Sequence, residues 1–390
     1  MALRFLTAGE SHGPALTVIV EGLPAGIAID REHVDRELIR RMGGFGRGGR
    51  MKIEKDRVEW LGGVRFGKTL GSPVALQIAN LDHSNWIEAM APLGEAPEGD
   101  AARRVTRPRP GHADLAGALK YDTHDARDVF ERSSARETAA RTAAGALAKQ
   151  LLASVGIEVT SHTVAVADVT APALPDGAFD ALIALADDAA MRVLDESTSL
   201  AMIEAVERAQ RNRDSIGGRF EVLARGAPPG LGSHTHWDRR LDGRLGGALM
   251  SIQAVKAVSV GEGVEAAARQ GSEHHDPIRH LAGRGFVRPT NRAGGIEGGM
   301  SNGETIRCTG WLKPLASLPK PLDSIDLVTK ERFEAVRERT DTIPIVAAGV
   351  VGEAMVAWIL AEELTIKFGG DHVGELKRNF EAYRRQLADY

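Results

Sequence analysis

Residues 43–61 read GGFGRGGRMKIEKDRVEWL, and two readings of this stretch lead to different proteins. As an arginine-glycine box it belongs to a disordered tail that binds the phosphates of RNA through backbone freedom and guanidinium charge, without sequence preference. As an ordered, glycine-hinged loop it closes arginines around a small phosphorylated or carboxylated ligand. The flanks favour the second. Upstream, Val34, Leu38 and Ile39 mark an amphipathic segment that ends in Arg40 and Arg41, and downstream MKIEKDRVEWL alternates as a strand does. A box framed by regular structure is internal and ordered.

Composition points the same way. With 390 residues, 43% of them hydrophobic and 5% aromatic, the chain can bury a large core and is expected to form one large domain or two fused halves. A net charge of −4 gives no global attraction to nucleic acid. The single cysteine, Cys308, excludes an intramolecular disulfide and fits a reducing compartment. Arg4 and Glu10 interrupt what would be the apolar core of a secretory signal. The membrane-like run 343–360 is broken by Pro344 and Glu353, and Gly349 and Gly352 suit the close packing of a buried helix. A soluble, cytoplasmic protein with no membrane and no nucleic-acid partner is expected.

Strand-like runs (ALTVIVEGL, RVEWLGGV, SPVALQIAN, EVTSHTVAVADV, GRFEVLARG, AVKAVSV, TIRCTGWL) alternate along the chain with helical ones at 134–154, 199–212, 330–338 and 346–366. Many of the strands alternate polar and apolar positions, which predicts antiparallel sheets with one wet face, an α+β architecture, rather than a doubly wound parallel core. No short-period repeat is present, and the two halves share a similar mix of elements, consistent with internal duplication.

Three stretches carry candidate chemistry. Gly9-Glu10-Ser11-His12-Gly13 matches the nucleophile elbow of serine hydrolases, but it is followed by Pro14 and the strand-like LTVIV rather than by a helix. Its glycine-bounded turn leaves His12 as a candidate general acid. Ser233-His234-Thr235-His236-Trp237-Asp238 has the spacing of a metal site, yet nothing ties it to the second cluster at His274-His275-Asp276, and no metal is expected. The third stretch, 106–140, reads TRPRPGHADLAGALKYDTHDARDVFERSSARETAA. Pro108 and Pro110 stiffen the chain around Arg107 and Arg109. Ser134 and Glu137 have the spacing of a capping box, and a helix N-terminus flanked by Arg132, Ser133 and Arg136 predicts an anion site.

Taken together, GESHG at 9–13, GRGGRM at 46–51, RPRPGHAD at 107–114, ERSSARETAAR at 131–141, HWDR at 236–239, GGIEGGMSNG at 294–303, LKP at 312–314 and R-T-D with AAGVV at 339–351 resemble the chorismate synthase family, in its order and over nearly the whole chain. The resemblance implies a single domain over 1–390, a β-α-β sandwich with helices packed between antiparallel sheets. It implies a carbon-oxygen lyase that converts 5-enolpyruvylshikimate 3-phosphate to chorismate by 1,4-elimination of phosphate. Such an enzyme needs reduced FMN without net redox change and is typically a homotetramer. A substrate with one phosphate and two carboxylates explains the clustered arginines, because bidentate guanidinium groups suit those oxyanions.

Carried onto this sequence, the family pattern implies substrate contacts at Arg41, Arg47, Arg50, Arg109, Ser134, Arg136 and Arg339. Flavin contacts fall on Arg132, Ser133, Ser134, Gln253, Ala254, Gly298, Lys313, Pro314, Leu315, Ala316, Ser317 and Arg339. His12 is implied as the acid at the leaving phosphate, His112 at the N1 and C2-carbonyl edge of the flavin, and Asp341 near its N5. Arg41 and Arg47 also align with positions linked to a nicotinamide, so NADPH enters only if the protein reduces its own flavin. Two positions depart from the pattern: Phe45 stands where the family usually has tyrosine, and Pro344 comes two residues early. The alternatives are an RNA-binding protein using the arginine-glycine loop and a serine- or metal-dependent hydrolase using GESHG or SHTHWD.

Overall fold

The computed structural model describes residues 3–175, 177–283 and 285–390. Two antiparallel sheets enclose a layer of helices. The first sheet has the order Arg4–Ala8, Ala15–Glu21, Val74–Ala79, Glu59–Gly62. Its alternation is the expected one: Leu16, Val18 and Val20, with Val74, Leu76 and Ile78 on the neighbouring strand, are buried, whereas Leu6 and its cross-strand partner Ile19 face outward and are exposed. The second sheet runs Val255–Val260, Ile306–Leu312, Gly218–Arg225, Glu158–Val166, Val169–Thr170. Here the one-wet-face expectation fails on two central strands, which are buried on both faces through Val159–Thr163 and Phe220–Ala224. Phe179 and Leu182 of the short helix Ala178–Ile183 cluster with Leu223 on the outer side, and His162 pairs with Glu221 there.

Between the sheets, helix Thr138–Ala153 packs on the first and helix Ile345–Phe368 on the second, and the two helices pack on each other. Their crossing is close because Gly145 has no side chain; a Cβ there would lie 2.3 Å from that of Ala354. The apolar run is therefore a core helix, with 94% of its most apolar window buried. Helix Arg31–Met42 lies against both, so Arg40 reaches Glu353, the charged residue that interrupts the apolar run and is fully buried.

Two local expectations need correction. Residues 330–338 are not helical: Arg332–Glu334 pairs with Asp323–Ile325 as a hairpin. Its turn is fixed by Asp326, which accepts from the backbone N–H groups of Val328 and Thr329, and by Lys330 at a left-handed φ of 65°. The capping box at Ser134 does not form. Ser134 accepts from the Arg136 N–H and starts a single 3₁₀ turn, Ala135–Glu137, before the α-helix begins at Thr138, while the Glu137 carboxylate turns to Thr7 and Arg141.

Candidate active site

A cavity of about 520 Å³ opens where the ends of these elements meet. The turn after the first strand brings Ser11 and His12. The end of helix Arg31–Met42 brings Arg41, and the arginine-glycine loop brings Arg47, Gly48, Arg50 and Met51. Arg109, His112, Phe130, Ser133, Ser134, Arg136, Gln253, Ala254, Lys313, Leu315, Ala316, Ser317, Arg339 and Asp341 complete most of the wall. All three residues implied for catalysis, and all seven implied for substrate, are thus brought to one cavity. Of those implied for flavin, Arg132, Gly298 and Pro314 are not among the lining residues. Arg132 donates away from it to the carbonyls of Thr7 and Gly9 at 2.8 and 3.2 Å, and Gly298 lies in the turn between Ile296–Glu297 and Met300–Ser301.

The arginine-glycine loop is ordered by backbone bonds, so the disordered RNA box does not describe it. Phe45 N–H donates to Ala190, Thr342 N–H donates back to Gly46, and Gly48 N–H donates to Asp341 Oδ1 at 2.6 Å. Gly48 is required at that contact, because a Cβ would lie 2.6 Å from the Thr340 carbonyl oxygen. The elbow reading of GESHG fails on its partner: Ser11 Oγ accepts from Arg50 at 2.6 Å, a cation where a hydrolase needs a base. Among the described residues no group of three or more His, Cys, Asp or Glu side chains is placed to hold a metal, and His236 pairs with Asp238 on the surface.

Charge in the cavity is unbalanced. Arg41 and Arg136 share the carboxylate of Asp56 at 3.0 and 2.7 Å, and all three are buried. Burial pulls the Arg41 guanidinium down to about 10 in spite of Asp56, and Arg136 and Arg47 add their repulsion. Burial likewise lowers Arg50, with Arg136 next in effect. Burial alone would raise Asp56, but the two arginines hold it below its ordinary range. Arg41 Nε and Gln253 Oε1, both in residues that line the cavity, are buried without a hydrogen-bond partner, so each can take one from a ligand or from water.

Each histidine is braced by a carboxylate. His12 Nδ1 meets Glu131 Oε1 at 2.9 Å, and its ring stacks on Trp86 with centroids 4.0 Å apart. His112 Nδ1 meets Asp114 Oδ1 at 2.5 Å, and Asp114 also takes Arg109 in bidentate fashion. Burial would raise Asp114, yet His112 and Arg109 hold it well below the usual carboxylate range. Asp341 lies 3.3 Å from Arg47 Nε, and Arg339 pairs with Asp82. Asp56, Asp82 and Trp86 were not indicated by the sequence, and Glu131, which opens the quoted motif ERSSARETAAR, was not tied to His12 because the two are 119 residues apart. Asp114 lay within a quoted motif and two residues from His112, a spacing that offered a signal.

Arginines from separate segments, two carboxylate-braced histidines and unpaired polar atoms define an enzyme cavity for a small, multiply anionic molecule. The comparisons agree in detail. The family model for chorismate synthase matches residues 3–365. The chorismate synthase of Desulforudis audaxviator is 54% identical over 385 residues, covering 99% of this chain and 98% of that protein. That of Symbiobacterium thermophilum is 53% identical over 389 residues, covering 99% and 100%. A crystal structure of chorismate synthase superposes with a TM-score of 0.81 at 38% identity, covering 100% of this chain and 99% of that one. The chain belongs to the chorismate synthase family.

Proposed function

We propose that this cavity carries out the 1,4-elimination of phosphate from 5-enolpyruvylshikimate 3-phosphate to give chorismate. The observation that carries this reading is the convergence of Arg41, Arg50, Arg109, Arg136 and Arg339, from four segments of the sequence, on one cavity with His12 and His112. Arg41, Arg50 and Arg136 face only two buried carboxylates, Asp56 and Glu54, and the phosphate and two carboxylates of the substrate supply the further negative charge. His12 holds the proton that departs with the phosphate. Asp341, fixed by the Gly48 N–H and beside Arg47, serves the removal of the C6 hydrogen.

The residues present fit a flavin: the unpartnered Gln253 Oε1, Ala254 at φ 69°, and Ser133, Ser134, Lys313, Leu315, Ala316, Ser317 and Arg339 lining the same cavity. Reduced FMN, when bound, supplies electron density as the C–O bond breaks. His112 is assigned to its N1 and C2-carbonyl edge. The chain acts as one domain in the cytoplasm. It assembles as a homotetramer, for which exposed Leu6 and Ile19 on the outer face of the first sheet offer apolar surface. NADPH is needed only if the protein reduces its own flavin. The test is anaerobic turnover with chemically reduced FMN, followed at the absorbance of the product diene. Diene formation that depends on both flavin and substrate is expected, and its absence overturns the assignment.

A further inference from the structure

The two histidine braces differ in reach. Asp114 is two residues from His112, whereas Glu131 comes to His12 from helix Arg127–Ser133, 119 residues away. Glu131 is almost fully buried, and both its oxygens are engaged. Oε1 accepts from His12 Nδ1 and from Arg127 Nη1, each at 2.9 Å, and Oε2 accepts from the His12 backbone N–H at 2.8 Å. The Glu131 carbonyl takes the Ser11 N–H at 3.1 Å, so side chain and backbone grip the same turn. Burial would raise the carboxyl, but the hydrogen bond and charge of His12 hold it below its ordinary range. Trp86 closes one face of the imidazole, and the His12 carbonyl meets His83 Nδ1 at 2.8 Å. The ring cannot flip without losing the carboxylate. Its free atom, Nε2, has Asp82 Oδ2 at 3.9 Å, and Asp82 is itself held by Arg339 of the cavity wall.

We propose that Glu131 is a positioning residue: it fixes His12 as the Nδ1–H tautomer, so that Nε2 alone gives the proton to the leaving phosphate. The inference rests on the reading of His12 as the acid. In the step, the C6–H bond breaks and its electron pair enters the ring to form the diene, while the C–O bond to phosphate breaks with its electron pair going to the phosphate oxygen. The Nε2 proton of the imidazolium moves to the phosphate, and neutral imidazole remains with its hydrogen on Nδ1, held by the carboxylate; solvent then restores the Nε2 proton. An ion pair that merely stabilised the helix through Arg127 would leave the tautomer of His12 indifferent to Glu131.

Single-turnover phosphate release with the full chain, reduced FMN and 5-enolpyruvylshikimate 3-phosphate separates these cases, alongside spectra of 15N-histidine-labelled protein. Glu131→Gln should slow release about 10- to 100-fold with the substrate KM within about threefold, and Glu131→Asp should recover part of the loss. The amide of Glu131→Gln can donate to Nδ1, so the His12 resonances should shift toward the Nε2–H form while those of His112 stay in place. In the His12→Ala background Glu131→Gln should add no further loss, since the two residues act as one unit. A Glu131→Gln protein at the wild-type rate with the Nδ1–H form intact overturns the proposal. If His12→Ala itself loses only a few-fold, the reading of His12 as acid fails instead. Should Glu131→Gln not fold, Glu131→Asp carries the same test: an unchanged rate and spectrum overturn the proposal.

Discussion

Arg40 and Arg41 are adjacent on one helix, both are buried, and their electrostatic situations are opposite. Arg40 donates to Glu37 at 2.6 Å and to both oxygens of Glu353 at 2.8 Å, in a cluster completed by Lys149 and by Ser161, which donates to Glu353 at 2.6 Å. Burial would lower Arg40, but Glu353 and Glu37 hold it above its ordinary value. Arg41 has one carboxylate, shares it with Arg136, and is pulled down to about 10. The first cluster is complete between the two core helices, so it specifies how they meet. The second sets Arg41, Arg136 and Arg50 against two carboxylates, Asp56 and Glu54, and so is short of negative charge, which the proposed substrate would supply. A single residue step along a helix thus divides scaffold from site.

The largest effect is expected on the scaffold side. Glu353→Ala leaves two buried cations, Arg40 and Lys149, with Glu37 as their one remaining shared carboxylate and should cost about 3–5 kcal/mol of stability, read as the shift in chemical-denaturation midpoint. The molecules that remain folded should keep their substrate KM. Arg41→Met should do the reverse: stability within about 1 kcal/mol of wild type, but a loss of about 1.5–3 kcal/mol in substrate binding, or roughly 10- to 150-fold in kcat/KM. Equal destabilisation by the two substitutions breaks the distinction. A weaker KM in folded Glu353→Ala would instead show that the clusters are coupled through the helix.

Acid should act on both clusters, by less per group. The folded pKa values of Glu353, Glu37 and Asp56 lie below their ordinary values of 4.5, 4.5 and 3.8; burial opposes this in each, but their cationic partners prevail. A carboxylate whose folded pKa is depressed contributes stability that is fully present above the unfolded value and is lost as pH falls toward the folded one. Stability should therefore be nearly flat from pH 7 to about 5 and fall below about 4.5, each unit of depression being worth about 1.4 kcal/mol. Glu353→Gln should flatten that acid limb. A limb that stays equally steep would place the titrating groups elsewhere.

The scaffold was more legible in the sequence than the pairs that define the site. All seven strand-like runs are strands, and the apolar run is a core helix whose glycines meet Ser161 and Phe220 of the second sheet, because these features depend on local alternation and residue size. The arginine segments were visible for the same reason, and family resemblance gave them an order. What was hidden is the carboxylate that each cation or histidine meets: Asp56 with Arg136, Glu131 with His12 and Glu353 with Arg40 lie 80, 119 and 313 residues apart. Local patterning carries no information on such pairs. The hairpin at Arg332–Glu334 was misread because its geometry is set by the Asp326 turn and not by the residues of the strand itself.

The smallest expected effect concerns Phe45, the residue in the arginine-glycine loop that departs from the family pattern. Its ring is half-buried and packs against the main core, and it does not line the cavity. The loop is positioned by backbone bonds at Phe45, Gly46 and Gly48, none of which needs a hydroxyl on residue 45. A tyrosine there adds one polar atom at the margin of the core, where partial exposure lets water satisfy it. Phe45→Tyr should accordingly leave kcat/KM within about threefold of wild type, or about 0.6 kcal/mol, in assays with substrate and reduced FMN. Arg41→Met in the same assay sets the scale. A tenfold change from the added hydroxyl would mean that the loop's core-facing side communicates with the cavity, and the boundary drawn between Arg40 and Arg41 would then run through the loop as well.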